Sequence, residues 1–394
     1  MKDTTPASAP PECDHLLMIA PLLLLGIGLV MVFSSSGVLA VDRYQDPTFF
    51  LKKQLLYAVL GTGLMLFIRR IPYQLYNRLA YLILFISLFL LIIVLIPGVG
   101  VRIRSASRWL RLGPLVIQPS EFAKLAIIIF LAYSMARKQE KIRYFSIGFL
   151  PHIIIAGIFI VLIEKEPDFG TAMALAGITF LMLFVGGTRL THIFLAVIAA
   201  SPLVVYVILK NKMRLERMTT FIDPWKNPQE AGYQLVHSLQ ALGSGGFWGL
   251  GIGKSREKLF YLPDSHTDFI FSILAEEIGF LGVLIVICLF LIILMRGIAA
   301  SLKAQDNFGA YLAIGLTALI GLQAAINMAV VSGILPTKGL SLPFLSYGGS
   351  SLIVNMVAIG ILLNISSQGR GTKEALTRSP KGAIIPARGV QAGK

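Results

Sequence analysis

The run Asp268-Phe269-Ile270-Phe271-Ser272-Ile273-Leu274-Ala275-Glu276-Glu277-Ile278-Gly279-Phe280-Leu281-Gly282-Val283-Leu284-Ile285-Val286-Ile287-Cys288-Leu289-Phe290-Leu291-Ile292-Ile293-Leu294-Met295 decides the fold. From Ile278 to Met295 it carries no charge. A bilayer core takes about 20 such residues as one helix. The start of the run is the informative part. The polar stretch Pro263-Asp264-Ser265-His266-Thr267 ends where the apolar residues begin, and Asp268 sits at that lip. A carboxylate there costs free energy unless something uses or neutralises it.

The rest of the chain is built the same way. It has 394 residues, 56% hydrophobic and 14% charged, where a soluble domain carries about 25% charged residues. The composition excludes a large soluble core and reads as a polytopic membrane protein. The net charge of +15 lies between apolar segments, so lipid headgroups and membrane orientation take precedence over nucleic acid. Cys13 and Cys288 are the two cysteines; they form no disulfide framework and no metal-ligand cluster. Lys2 faces Asp3, Glu12 and Asp14, so the positive start of a cleaved leader is missing and the first apolar segment is expected to remain as an anchor.

Apolar runs between charges predict about ten transmembrane helices in an all-α polytopic fold: Leu16–Gly37, Gln54–Ile68, Leu75–Ile96, Glu121–Met135, Ser146–Ile163, Gly170–Val185, Leu190–Leu209, Asp268–Met295, Phe308–Val331 and Ser346–Ile365. One large extracytoplasmic loop, 210–267, separates the seventh and eighth. An even count places both termini on one side. The tail after Gln368 holds Arg370, Lys373, Arg378, Lys381, Arg388 and Lys394 against Glu374, so that side is expected to be cytoplasmic. The predicted organisation is a cytoplasmic tail over 1–14, a membrane domain over 15–368 and a disordered cytoplasmic tail over 369–394. Arg102, Arg104, Arg108 and Arg111 then fall in a short outer loop, against the orientation rule. Anionic outer lipid, a different span count or a bound anionic ligand each account for that.

Four polar constellations lie where a membrane disfavours them. Pro119-Ser120 reads as a helix start after Gln118, and Glu121 and Lys124 at i,i+3 share a face, where a structural ion pair is expected. Arg108 has no carboxylate near it in sequence, and its guanidinium forks naturally onto phosphate; Trp109 fits a membrane-interface belt. In the second, Pro167 breaks one helix and Asp168 can cap the next, with a capped surface turn and a ligand role for Glu166 or Asp168 both open. In the third, Thr267 or Asp268 is either the N-cap of the eighth span or, for Asp268, a functional carboxylate. Glu276 lies at the margin of the face through Asp268, Ser272, Ala275 and Gly279, about 12 Å further along the axis. The fourth, Leu335 through Ser351, holds Pro336, Lys338, Gly339, Pro343, Ser346, Tyr347 and Ser350. It reads as an irregular approach to the last helix, tolerated at membrane depth only against protein or a wet cavity. The runs Gly243-Ser244-Gly245-Gly246 and Gly249-Leu250-Gly251-Ile252-Gly253-Lys254 follow no strand and carry no Gly-Lys-Ser/Thr at the spacing of a phosphate loop, and they read as turns.

Together these motifs resemble the FtsW/RodA/SpoVE membrane glycosyltransferases, the SEDS proteins, from about Leu16 to Gln368. The runs that carry the resemblance are Ala106-Ser107-Arg108-Trp109, Gln118-Pro119-Ser120-Glu121 with Lys124, Glu166-Pro167-Asp168-Phe169-Gly170-Thr171-Ala172, His266-Thr267-Asp268-Phe269-Ile270, and Pro343 through Ser351. Leu335-Pro336-Thr337-Lys338-Gly339 looks like the division branch more than the elongation branch. Arg104-Ser105 departs from the family, where relatives often carry a glycine just before Ala106.

The resemblance implies polymerisation of lipid II into peptidoglycan strands at the outer face of the bacterial inner membrane, with a class B penicillin-binding protein as transpeptidase partner and other division proteins beside it. It places the catalytic carboxylate at Asp268. Arg108, Trp109, Lys338, Arg102, Arg104, His266, Thr267, Glu166, Asp168, Ser346, Tyr347 and Ser350 are the expected substrate-binding set, with Gln118, Glu121, Lys124 and Glu276 as a polar core. No cofactor is required, although a divalent cation, Mg or Mn, can share the work at the pyrophosphate. The residues suit that chemistry. An inverting transfer needs a base at the acceptor hydroxyl and positive charge at a pyrophosphate that leaves as a stabilised anion. The rival expectations are a lipid II flippase and a non-catalytic scaffold.

Overall fold

The computed structural model describes residues 14–378 except 104, 105, 114, 227, 231, 260 and 338, with only the backbone of 102, 103, 106, 107, 112, 115 and 369–378. Helices α1 (His15–Tyr44), α2 (Phe49–Ile68) and α3 (Gln74–Val94) lead to three short strands, β1 (Val101–Ile103), β2 (Ala106–Leu112) and β3 (Leu115–Ile117). Then come α4 (Pro119–Arg137), α5 (Leu150–Lys165), α6 (Phe169–Val185) and α7 (Leu190–Leu209). The large loop holds α8 (Lys212–Ile222) and α9 (Tyr233–Ser244), and α10 (Ile270–Lys303), α11 (Asn307–Val331) and α12 (Gly349–Arg378) complete the chain.

All ten predicted spans correspond to helices. Among the described residues nine helices are long and apolar enough to cross a membrane, the fifth of them being α5 continuous with a π-helical turn before it (Phe145–Lys165), and α6 is a shorter apolar helix of 17 residues. At about 1.5 Å per residue α6 falls a little short of a 30 Å core. The bundle has an inside and an outside. α4 and α12 bury most of their residues, whereas α7 buries none. α12 packs along α2, α10 along α1 and α11, and α4 along α3 and α11. Apolar side chains still face outward on α2, α3 and α7, as expected where lipid is the solvent.

Several boundaries differ from the sequence reading. The last helix begins at Gly349, so Ser346 and Tyr347 lie in the loop before it. It also runs to Arg378, past the expected start of the tail at 369, while 379–394 lie outside the described residues. The arginine-bearing loop between α3 and α4 is an antiparallel three-stranded sheet in the order β1-β2-β3, with Val101 opposite Trp109 and Leu110 opposite Ile117. Strands this short were hidden because their alternating pattern spans only a few residues. The 210–267 segment is an ordered unit with two helices of its own.

The glycine-rich turns of that unit have a packing role. α10 breaks at Gly279, whose φ of 73° and ψ of −168° are non-helical. Across the break the loop and helix exchange backbone hydrogen bonds: Leu250 N to Glu276 O (2.9 Å), Gly251 N to Glu277 O (2.9 Å) and Phe280 N to Gly246 O (3.0 Å). A Cβ on Gly279 would lie 2.3 Å from Gly249 N, and one on Gly245 would lie 2.0 Å from Ala275 O. Close backbone approach is what glycine allows. A buried ion pair secures the same corner: Lys258 Nζ donates to Glu277 Oε1 at 2.8 Å and to Ser34 Oγ of α1 at 3.0 Å. Gly279→Ala is expected to destabilise the protein by roughly 1–3 kcal/mol, the cost of a strained backbone position. It would show as a lower apparent melting temperature in detergent; an unchanged melting temperature would remove the constraint argued for this corner.

Candidate active site

Asp268 lies two residues before α10, not on its capping position. The N-cap is Phe269, with no side-chain cap, so the capping explanation for Thr267 or Asp268 does not hold. The segment is instead a tight turn around Asp264, whose carbonyl accepts from Thr267 N (3.0 Å), Phe269 N (3.3 Å) and Thr267 Oγ1 (3.2 Å). Asp264 adopts a left-handed φ of 57°. Asp268 is only partly buried.

The irregular segment before α12 folds against this turn. Ser346 Oγ donates to Thr267 O at 2.6 Å and accepts from Leu342 N at 2.8 Å. Tyr347 N donates to His266 O at 3.0 Å, and the Tyr347, His266 and Phe50 rings cluster at 4.9–5.8 Å. Asn327 of α11 donates to Asp268 O (2.8 Å) and Leu340 O (2.6 Å) at once. Gln54 of α2 donates to Ser346 O at 3.1 Å and accepts from Gly348 N at 3.3 Å. Gly339 then lies directly against the carboxylate: a Cβ there would be 2.8 Å from Asp268 Oδ2. The Gly339 carbonyl in turn packs on Gly170, at the start of α6.

The second half of the site joins β2 to the α5–α6 turn. Arg108 Nε donates to Glu166 O at 2.8 Å, and Nη2 donates to Pro167 O. Asp168 caps α6, accepting from Thr171 N at 3.1 Å, and also accepts from Gln118 Nε2 at 3.0 Å. Gln118 N donates to Ser350 Oγ at 2.9 Å. Glu121 and Lys124 form the expected pair, 2.8 Å apart with both side chains nearly or wholly buried. Glu276 faces away into the large loop, accepting from Arg256 N at 2.9 Å and from Ser255 Oγ. Trp109 sits in β2. The side chain of Arg102, and all of Arg104 and Lys338, lie outside what is described.

Electrostatically, Glu166 and Arg217 stand out. Glu166 is 1% exposed, and among the described residues neither of its carboxylate oxygens has a hydrogen-bond partner. Burial, then the Asp168 charge, push its pKa from 4.5 up to about 8 against the pull of Arg108. Arg217 of α8 was not singled out in the sequence. Burial pushes its pKa down, Asp268 and then Asp264 pull it back up, and Arg108 and Arg214 press against it. These interactions bring the large loop to Asp268. Its spacing of i,i+3 from Arg214 was a weak signal; Asn327, a buried amide one turn after Gln323 in an apolar helix, was a stronger one. Among the described residues no three His, Cys, Asp or Glu side chains converge as metal ligands.

The fold that carries this arrangement, a partly exposed carboxylate at the lip of a broken helix within electrostatic reach of Arg217, is shared with known proteins. The family model of FtsW, RodA and SpoVE, described as cell cycle proteins, matches residues 14–371. The chain belongs to this family. The probable peptidoglycan glycosyltransferase FtsW of Trichlorobacter lovleyi is 47% identical over 356 residues, covering 90% of this chain and 93% of that protein. Stage V sporulation protein E of Bacillus subtilis is 44% identical over 369 residues, covering 93% and 100%. Among solved structures, a chain of a peptidoglycan synthase complex described as coordinating polymerization and crosslinking superposes with a TM-score of 0.74 at 27% identity, covering 91% and 98%. The rod shape determining protein RodA of Thermus thermophilus superposes with a TM-score of 0.67 at 27% identity, covering 90% and 96%. The FtsW/RodA/SpoVE fold is thus shared over nearly the whole chain.

Two outcomes test the site. An unfolded Glu166 ionises near 4.5 and the folded one near 8, so the native state holds the proton more tightly between those values. Stability is then lost as pH rises through that window. Wild type is expected to lose stability from pH 5 to 8.5 relative to Glu166→Gln, by on the order of a few kcal/mol at the basic end, read as a falling apparent melting temperature; parallel pH profiles would contradict this. Reversing Glu121 and Lys124 together should recover stability lost by either reversal alone, and a double variant no better than the worse single one would rule out a purely structural pair.

Proposed function

We propose that this chain polymerises lipid II into glycan strands at the outer face of the bacterial inner membrane. Asp268 is the base that takes the proton of an acceptor sugar hydroxyl. The oxygen attacks the anomeric carbon of a polyprenyl-pyrophosphate donor, configuration inverts, and pyrophosphate leaves with the bonding electron pair. The observation that carries the proposal is the placement of Asp268: partly exposed, with its main chain held by Asn327, its carboxylate against Gly339, and Arg217 within electrostatic reach. Such a base gives about 10²–10⁴-fold.

Arg108, with Arg102, Arg104 and Lys338, is assigned to the departing pyrophosphate, where guanidinium and ammonium groups make charge-assisted bonds. A divalent cation, Mg or Mn, fits as an ion carried by the pyrophosphate, because such ions bind through one or two carboxylates plus phosphate oxygens. The relatives' names support the transferase reading, and the synthase complex supports a class B penicillin-binding protein as partner. The basic C-terminal tail supports cytoplasmic termini, and the FtsW-named relatives support a place at the division septum. A flippase would place its polar site near the bilayer midplane, whereas Asp268, Glu166 and Asp168 lie at or beyond helix ends.

The test is glycan polymerisation from lipid II by purified wild type and Asp268→Asn, each with the cognate penicillin-binding protein. Polymer from wild type and a loss of at least about 10²-fold in the variant is the expected result. Equal polymer from both would discard Asp268 as base. Lipid II movement without polymer from either would favour the flippase.

A further inference from the structure

The large outer segment contains a recess of about 330 Å³ that the reaction described above does not use. Its walls come from α8, from Gln229 and Glu230 of the loop after it, from the first turn of α9 and from two residues beside the candidate active site, Pro263 and Thr337. Pro263 directly precedes Asp264, the centre of the turn that holds Asp268. Thr337 is two residues before Gly339, against which the Asp268 carboxylate packs. Arg217 lines the recess and interacts electrostatically with Asp264 and Asp268. The recess and the reaction centre therefore share a wall.

The remaining lining has a definite chemical character. Gln229 and Gln234 each offer a donor and an acceptor, and Tyr233 adds a phenol and an apolar ring. Glu216 and Glu230 place two carboxylates at the same recess against the single guanidinium of Arg217, which already interacts with Asp264 and Asp268; the excess of carboxylates disfavours a phosphate or another anionic group there by like-charge repulsion. Mixed donors and acceptors, an aromatic face and no welcome for anions fit hydroxyls and N-acetyl groups. They fit an uncharged sugar, while the pyrophosphate is left to the arginines on the other side of Arg217.

We propose that this recess is a saccharide subsite of the polymerase, holding a sugar of the glycan next to the one that reacts at Asp268. The proposal rests on the transferase reading and extends it to where the polymer lies. A sugar in the recess fixes the direction from which the neighbouring hydroxyl reaches Asp268. Positioning of that kind turns a bimolecular encounter into an oriented one.

The test uses the purified full chain and two probes, an uncharged N-acetylglucosamine tetrasaccharide and undecaprenyl pyrophosphate, with polymerisation from lipid II measured on the same preparations. Wild type is expected to bind both. Gln229→Ala with Gln234→Ala should weaken tetrasaccharide binding about tenfold, the loss of one or two net hydrogen bonds, with undecaprenyl pyrophosphate affinity unchanged. Unchanged tetrasaccharide affinity in the double variant overturns the subsite, and so does equal loss of both probes. If wild type makes polymer but binds no tetrasaccharide, the subsite is wrong and the polymerase reading stands. If it binds neither probe and makes no polymer with its partner present, the polymerase reading falls, and the subsite with it.

Discussion

A backbone that leaves its helix within a membrane protein has to find its hydrogen bonds inside the protein, because lipid supplies none. The segment between α11 and α12 meets that demand with side chains. Asn327 serves two carbonyls on two different segments, Ser346 bridges a third carbonyl and an amide, and Gln54 closes the loop from α2. These bonds connect the turn of Asp264–Asp268 to the approach to α12. The position of Asp268 is a consequence of satisfying that backbone. An Asn or Gln that looks out of place in an apolar helix is here the fastener of the candidate active site.

The same region shows several ways of holding charge at low cost. Arg108 spends two of its donors on the carbonyls of Glu166 and Pro167, tying the small sheet to the α5–α6 turn. Arg214 pairs with Glu164 and lies over the Phe169 ring at 4.9 Å. Arg217 interacts with the carboxylates of the Asp264–Asp268 turn. Glu166, buried beside Asp168, keeps its proton well above the usual carboxylate range. Lys124 and Lys258 are buried only because Glu121 and Glu277 neutralise them, as an unpaired buried charge would cost several kcal/mol.

Much of this was legible beforehand. The ten apolar segments correspond to ten helices because a run of about 20 apolar residues has few other ways to satisfy its backbone in lipid. The Glu121–Lys124 pair followed from helical spacing, and the Asp168 cap from its place after Pro167. The small sheet and the order of the large loop were not legible. Their elements are short, and packing against distant neighbours decides them.

The sequence by itself determined the membrane fold, the set of apolar helices and the residues too polar to be there by accident, since each follows from composition and local period. Only the tertiary structure decided which of them meet. Gly339 and Asn327 reach the Asp268 turn from segments far apart in the chain, Gln54 holds the approach to α12 that packs against it, and Arg217 comes within its electrostatic reach from α8. The glycines of the loop fit the break in α10 only because two backbones approach there. Contacts of that kind are set by long-range closure and by hydrogen bonds between segments, and no local pattern encodes them.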